Sequence, residues 1–212
     1  MIKGVIFDAD GTLLDSMMAW RVSTEKYLSR FGCALTEEQY KEIFTLSLEQ
    51  ATDYLKERFP ICDPPEKIKS DYLEIIKDFY FCEVKAKEGV CDFLERLYKN
   101  NIPMIIATSG DRSLLDAAFN RLGIRKYFID LLNCTELKTD KQKPDIYLKA
   151  AEMLGTPIEN TAVFEDVLHA VKTAKAAGFY VVGVEDAESK PNRDAIMRLS
   201  DRYITTYNGF EL

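Results

Sequence analysis

The sequence lacks a long hydrophobic run. None of its apolar stretches approaches the roughly 20 residues that a membrane-spanning helix needs. The first ten residues carry one short apolar run, which Asp8 interrupts, so we do not expect a signal peptide. Positive charge is also scarce, since 28 lysines and arginines stand against 35 aspartates and glutamates, a net charge of −7. We therefore expect no binding to nucleic acid or to an anionic membrane.

Cysteine is scarce as well, and its spacing indicates neither disulfides nor a metal site. The five cysteines are odd in number and scattered along the chain: Cys33, Cys62, Cys82, Cys91 and Cys134. We expect them to be reduced, as in a cytoplasmic protein. The 212 residues are 47% hydrophobic and 30% charged, a globular balance that excludes intrinsic disorder and a disulfide-scaffold peptide.

Apolar runs bounded by turn-forming residues alternate with helical patterns. These runs contain β-branched residues and predict buried parallel strands over 4–7, 102–107, 128–134, 162–164 and 180–184, with an edge strand over 203–205. Helices are predicted over 111–123, where Asp111 is a good N-cap, over 144–155, where Pro144 suits the first turn, and over 167–177. A glycine closes each of them. This alternation predicts an α/β fold with a Rossmann-like, doubly wound parallel sheet.

One stretch breaks the alternation. Residues 16–31, 47–59 and 64–81 show helical patterns, and no convincing strand lies among them. This insertion of about 70 residues is far longer than the ten to twelve or so that a crossover between parallel strands needs. We therefore expect an inserted all-helical cap at 16–85 and an α/β core domain formed by 1–15 and 86–212.

Two pairs of acids follow apolar strands. Asp8 and Asp10 come after the first predicted strand and precede Gly11, and Glu165 and Asp166 follow the strand at 162–164. Ligands of doubly wound sheets bind beyond the carboxyl ends of the strands, and carboxylate oxygens there suit Mg²⁺. The alternative interpretations are an Asp-Gly turn at the first pair and helix capping by Asp166 at the second.

A hydroxyl and a lysine complete the pattern. Thr108 and Ser109 lie at the end of the second strand and before a helix, where free backbone N–H groups can bind an anion. Lys141 and Lys143 precede the helix that starts near Pro144, where an ammonium group can neutralise phosphate. Simple capping and a solvated lysine are the alternatives. The placement of all four features on one sheet edge is nevertheless specific.

The segment Asp8-Ala9-Asp10-Gly11-Thr12 matches in full the D-x-D-G-T signature of a known family. Through it the chain resembles the haloacid dehalogenase superfamily, in the branch with a helical cap, and most closely the β-phosphoglucomutase-like phosphatases. The resemblance implies that Asp8 is the nucleophile and forms an aspartyl-phosphate. It also implies that Asp10 is the general acid and base, and that its backbone carbonyl binds the metal.

The same resemblance assigns the remaining site residues. Thr108 matches the hydroxyl that holds the transferring phosphoryl group, assisted by the amide of Ser109, and Asp166 with Glu165 matches the Mg²⁺ acids. Alignment on the proline and aspartate at 144–145 places the catalytic lysine at Lys141, with Lys143 as the alternative.

The resemblance implies a Mg²⁺-dependent phosphatase that acts on a small phosphorylated metabolite. The second aspartate, Asp10, argues against dehalogenation. A sugar-phosphate mutase of the β-phosphoglucomutase type is the alternative, but Leu48 follows Ser47 where such mutases carry an arginine. A non-catalytic binding module is a remote alternative, because every expected acid is present. We expect a monomer in the cytoplasm, a solvated loop over 185–190, and a structural or exposed role for His169.

Overall fold

The computed structural model describes residues 1–44, 46 and 48–212, and it divides into two compact units. One unit comprises Met1–Met17 and Lys85–Leu212, and it contains the sheet. The other comprises Met18–Val84 and is helical. Within the described ranges, no helix has both the length and the apolar character that crossing a membrane requires.

The sheet is parallel and six-stranded, which confirms the predicted α/β fold with a Rossmann-like sheet. Its strands lie in the order β3-β2-β1-β4-β5-β6. In chain order they are β1 (Gly4–Phe7), β2 (Met104–Thr108), β3 (Phe128–Asn133), β4 (Thr161–Glu165), β5 (Tyr180–Val184) and β6 (Arg202–Ile204).

The central strand β1 lies between β2 and β4. All four of its residues are buried, as expected of a continuous apolar strand covered on both faces. The register pairs Phe7 with Ile106 of β2 and with Phe164 of β4, so these three strands run side by side to the same edge. The rings of Phe7 and Phe164 lie 4.7 Å apart and pack this end of the sheet. The strand order reverses direction between β1 and β4, which is where doubly wound sheets bind ligands.

The helices agree with the predicted alternation and extend it. Three of them, α2, α5 and α9, are absent from the predicted elements, although the apolar face of α5 is visible in the sequence at Val90, Phe93, Leu94 and Leu97. The helices are α1 (Ala19–Ser29), α2 (Glu37–Phe44), α3 (Leu48–Arg58), α4 (Pro65–Asp78), α5 (Val90–Lys99), α6 (Arg112–Arg121), α7 (Asp145–Leu154), α8 (Leu168–Ala176) and α9 (Arg193–Leu199). A π-helical turn spans Phe79–Glu83.

The helical unit has its own small core, in which α1 packs on α4. The rings of Tyr27 and Tyr72 meet edge to face at 6.4 Å, and both side chains are buried. The hydroxyls of Thr24 and Tyr72 form a buried hydrogen bond of 2.5 Å. This pairing gives each of the two buried hydroxyls a hydrogen-bond partner.

Thr108 and Ser109 form a hydroxyl segment at the end of β2. Helix α6 begins three residues after Ser109, and Asp111 caps it. The Asp111 carboxylate accepts hydrogen bonds from the backbone N–H groups of Ser113, at 2.8 Å, and Leu114, at 3.1 Å. The Ser113 hydroxyl also donates to this carboxylate and lowers the pKa of Asp111. The cap therefore fixes where the helix starts relative to Thr108.

We expect Asp111→Ala to lower the free energy of unfolding by about 1 kcal/mol, the usual cost of losing such a cap. Urea unfolding at pH 7 measures the change. Because the pKa of Asp111 is lowered in the folded state, its contribution is present at neutral pH and is lost as the pH falls through that lowered pKa. Asp111→Asn keeps an accepting oxygen and should lose about 0.5 kcal/mol or less. Equal losses in both variants would contradict the capping role.

Candidate active site

Three buried carboxylates meet where β1 and β4 end. Asp8 follows β1 directly, and its backbone N–H donates to the Phe164 carbonyl at 3.0 Å, which ties the two strand ends together. Glu165 is the last residue of β4 and Asp166 follows it. One oxygen from each of Asp8, Glu165 and Asp166 lies within 4.8 Å of the other two. The structure thus brings together three of the acids that the sequence analysis selected, and we call them the acidic cluster.

Lys141 reaches into the acidic cluster from the loop before α7. Its ammonium group donates to Glu165 Oε1 at 2.6 Å and also to Asp8 Oδ1. The side chain is only 6% exposed, whereas Lys143, two residues further on, is exposed. The structure therefore places Lys141 at the acidic cluster and leaves Lys143 at the surface. Tyr147 of α7 donates a further hydrogen bond of 2.7 Å to Glu165 Oε1.

The acidic cluster carries more negative charge than its surroundings balance. Burial raises the pKa of Glu165 to about 7, in spite of the nearby Lys141 ammonium group. Burial, and then the charge of Asp8, raise the pKa of Asp166 well above its ordinary value. Burial by itself would lower the pKa of Lys141, but the carboxylates of Asp8 and Glu165 outweigh it and raise that pKa. The cluster thus contains three acids, and the Lys141 ammonium group pairs with two of them, Asp8 and Glu165.

The donor set of the acidic cluster fits a hard divalent cation. All three side chains offer carboxylate oxygens, the ligands that Mg²⁺ prefers. Among the described residues, no group donates to the buried Oε2 atom of Glu165. An unsatisfied buried oxygen is costly, and a bound cation would satisfy it and offset the excess charge.

Asp10 lies beside the acidic cluster and faces the end of β2. The Ser16 hydroxyl donates to Asp10 Oδ1 at 2.6 Å. Gly110 leaves room for this carboxylate, because a Cβ atom at that position would lie 2.5 Å from Asp10 Oδ2. Gly11, which follows Asp10, has a φ of 79°, and a Cβ atom there would lie 2.5 Å from Asp166 Oδ2. The glycine of the D-x-D-G-T signature is thus needed both for its backbone conformation and for space.

The hydroxyl segment completes the walls of a cavity of about 220 Å³. Thr108 is the buried last residue of β2, and its hydroxyl accepts a hydrogen bond from the Gly110 N–H at 2.9 Å. All the predicted catalytic and phosphate-binding residues line this cavity: Asp8, Asp10, Thr108, Ser109 and Lys141. Glu165 lines it as well, and Asp166 contributes to the acidic cluster behind it. The arrangement places a carboxylate, a hydroxyl and an ammonium group around one small space.

His169 and the loop after β5 add features that the sequence analysis did not assign to the site. His169 is exposed, as expected, but it also lines the same cavity, and partial burial of its ring lowers its pKa. The prediction of a solvated loop over 185–190 is wrong at Asp186. This residue is 5% exposed, and its carboxylate forms an ion pair with the Lys87 ammonium group at 2.9 Å. Ser189 of that loop lies 3.4 Å from Asp166 Oδ2. The signal in the sequence that could have identified Asp186 as a site residue is its position two residues beyond the end of β5.

Comparison with protein families gives one match that covers most of the chain. The model described as haloacid dehalogenase-like hydrolase matches residues 5–184. The match thus includes the acidic cluster, the hydroxyl segment and Lys141, and it ends at the last residue of β5.

Several characterised relatives and solved structures are similar over nearly their full length. A phosphorylated carbohydrates phosphatase of Thermotoga maritima is 29% identical over 177 residues, which are 84% of this chain and 82% of the relative. Hexitol phosphatase A of Escherichia coli is 28% identical, and the alignment covers 92% of this chain and 88% of the relative. A Thermotoga maritima structure provisionally described as a β-phosphoglucomutase is 26% identical, with a TM-score of 0.86 over 98% of this chain and 96% of that one.

Proposed function

This chain belongs to the haloacid dehalogenase-like hydrolase family, and on that premise we propose that it is a Mg²⁺-dependent phosphatase of a small phosphorylated metabolite. The observation that carries the proposal is the Asp8 carboxylate, which lines a small cavity together with Thr108 and Lys141. A nucleophile, a hydroxyl and an ammonium group around one space suit the transfer of a phosphoryl group.

Asp8 acts as the nucleophile in the first step. One of its carboxylate oxygens attacks the phosphorus of the phosphomonoester, and the bond from phosphorus to the substrate oxygen breaks. Asp10 enters this step protonated and gives its proton to the departing oxygen, so that the product leaves as an alcohol. The hydrogen bond from Ser16 to Asp10 Oδ1 orients the Asp10 carboxyl group for this transfer. An aspartyl-phosphate at Asp8 remains.

Asp10 acts as the base in the second step. Its carboxylate, now without the proton, accepts one from a water molecule as that water attacks the phosphorus of the aspartyl-phosphate. The bond between phosphorus and the Asp8 oxygen breaks, inorganic phosphate leaves, and both aspartates return to their starting states. Two displacements by positioned groups replace a single slow attack of water on the ester.

The other residues hold the transferring group and the cation. Lys141, Thr108 and Ser109 line the cavity, and the ammonium group, the Thr108 hydroxyl and the Ser109 amide would bind the phosphoryl oxygens. Asp8, Glu165 and Asp166 would hold Mg²⁺, together with the backbone carbonyl of Asp10 that the family resemblance implies. Bound Mg²⁺ supplies positive charge that balances the acids and the phosphate.

A sugar or polyol phosphate is the substrate class that the relatives favour. Two of them are named for phosphorylated carbohydrates and for hexitols. We propose that this chain likewise hydrolyses phosphate esters of small polyhydroxy compounds. The free state of all five cysteines supports a cytoplasmic location, where such metabolites occur. We propose a monomer.

The alternative activity is a sugar-phosphate mutase. The sequence argument against it depends on Ser47, which lies outside the described residues, and on the side chain of Leu48, which is not described either. A mutase returns the phosphoryl group to the sugar, whereas a phosphatase gives it to water. Product analysis therefore separates the two activities.

Phosphate release from a panel of sugar and polyol phosphates tests the proposed function. We expect hydrolysis of at least one compound, with a rate at least about tenfold higher in Mg²⁺ than after removal of metal with EDTA. Restoring Mg²⁺ to the EDTA-treated protein is the control, and it should recover the rate. Isomerised sugar phosphate formed faster than free phosphate would favour the mutase, and equal rates with and without Mg²⁺ would contradict the metal requirement.

A further inference from the structure

We propose that the segment 206–210 positions the acidic cluster, and that Tyr207 orients Asp166 through Thr12. The inference rests on the proposed function, because the orientation of Asp166 is important only if the acidic cluster binds Mg²⁺. The family match ends at residue 184, so it includes Thr12 and Asp166 but not Tyr207. The segment is thus an element that the family signature does not assign.

A chain of two buried hydrogen bonds joins Tyr207 to Asp166. The Tyr207 hydroxyl donates to the backbone carbonyl of Thr12 at 3.1 Å. The Thr12 hydroxyl in turn donates to Asp166 Oδ1 at 3.0 Å. All three side chains have no exposed surface, so water cannot replace a lost partner without rearrangement. Tyr207 therefore fixes the backbone from which Thr12 holds the carboxylate.

The ring of Tyr207 also contacts β4, the strand that ends at Glu165 and is followed by Asp166. It stacks on Phe164, with a centroid distance of 5.9 Å and an interplanar angle of 19°. Phe164 directly precedes Glu165 and Asp166. Burial, and then the charges of Asp166 and Asp8, raise the pKa of Tyr207 well above its ordinary value. The hydroxyl thus keeps its proton and remains a donor at neutral pH.

The segment itself is held against the start of α5. The Tyr207 N–H donates to the Glu88 carbonyl at 3.0 Å, and the Asn208 side chain donates to Glu88 Oε1 at 2.8 Å. Gly89, with a φ of 82°, permits this approach, because a Cβ atom there would lie 2.5 Å from the Asn208 nitrogen. Arg96 donates to the Phe210 carbonyl at 3.0 Å. These contacts lie within the α/β unit and give Tyr207 a defined position.

The variant Tyr207→Phe tests the inference, because it removes the hydroxyl and keeps the ring that packs on Phe164. We expect the Kd of the full-length protein for Mg²⁺, measured by calorimetry without substrate, to rise about 3- to 10-fold. This is less than the loss of about 10- to 100-fold that follows removal of a direct partner of a metal ligand. Thr12→Val removes such a partner and should raise the Kd by about tenfold or more.

The double variant shows whether Tyr207 acts through Thr12. If it does, Tyr207→Phe combined with Thr12→Val should have the Mg²⁺ Kd of Thr12→Val alone, because residues that act in series are not additive. Independent, multiplying effects would overturn the inference. Tyr127→Phe is the matched control. This half-buried tyrosine directly precedes β3, at the sheet edge opposite the acidic cluster, and its replacement should leave the Kd for Mg²⁺ unchanged.

The measurements separate the inference from the proposed function. Thermal unfolding of each variant shows how much stability is lost. A Tyr207→Phe protein that is less stable but binds Mg²⁺ as wild type does would overturn the inference and leave the proposed function intact. A wild-type protein that binds no Mg²⁺ would overturn both. If Tyr207→Phe does not fold, Thr12→Ser, which keeps the hydroxyl donor, must bind Mg²⁺ within about threefold of wild type; a larger loss would also overturn the inference.

Discussion

Replacement of Asp8 by asparagine is expected to reduce the rate of phosphate release by about 10³-fold or more, the effect of removing a nucleophile. The amide has the shape of the carboxylate but cannot attack phosphorus to form a stable acyl phosphate. One of the three acids that repel one another in the acidic cluster is also lost, so we expect the variant to fold. Phosphate release from the best substrate of the panel measures the change.

The control for this variant lies seven residues further along the chain. Asp15 is exposed, and Asp15→Asn should change the rate by less than about twofold, as most surface substitutions do. Acid-quenched wild-type protein should also carry a phosphoryl group on the peptide that contains Asp8, detected by mass spectrometry, and Asp8→Asn should not. Equal phosphate release by Asp8→Asn and wild type would contradict both the nucleophile and the enzymatic function.

Replacement of Lys141 by methionine is expected to reduce phosphate release by about 10²- to 10³-fold, the effect of removing one donor that stabilises the transition state. Lys141 bridges Glu165 and Asp8, and it lines the cavity. Methionine has nearly the same length and no charge, so the variant tests the charge with little change in packing. Steady-state rates over a range of substrate concentrations measure the loss.

Stability provides a second observation on the same variant. Removal of Lys141 leaves the buried carboxylates of Asp8 and Glu165 without their cation, which we expect to cost about 3 kcal/mol. Added Mg²⁺ should recover part of this loss by binding to the folded state. Lys143→Met is the matched control, because Lys143 is exposed, and it should change neither rate nor stability. A larger loss of activity in Lys143→Met than in Lys141→Met would transfer the catalytic role to Lys143.

The sequence identified the acids of the site because chemistry and local structure coincide there. Asp8 directly follows the apolar strand β1 and Glu165 ends β4, and such strands are recognisable in the sequence from their continuous apolar runs. Parallel strands bring their carboxyl ends to one edge of the sheet. The sequence therefore predicts that these acids lie close together, although it gives no distances between them. The choice between Lys141 and Lys143 required an alignment, because both precede the same helix.

Asp186 and Tyr207 show where prediction from the sequence ended. Asp186 occurs in a polar strip that is typical of a solvated loop, yet it is buried in an ion pair with Lys87, which lies 99 positions away in the sequence. Tyr207 contacts Thr12 across 195 positions. Neither pairing can be recognised from the periodicity of the sequence, because a side chain that contacts a distant partner does not change the residue pattern around it.

The sequence predicts the six strands, six of the described helices and the sheet edge at which the acids meet. Short-range rules suffice for this, because the burial of an apolar run and the capping of a helix depend on residues a few positions apart. The strand order, which sets β1 between β2 and β4, and the side-chain contacts at the acidic cluster become visible only in the folded chain. Those contacts form between residues far apart in the chain, so their geometry and their shifted pKa values exist only once the chain has folded.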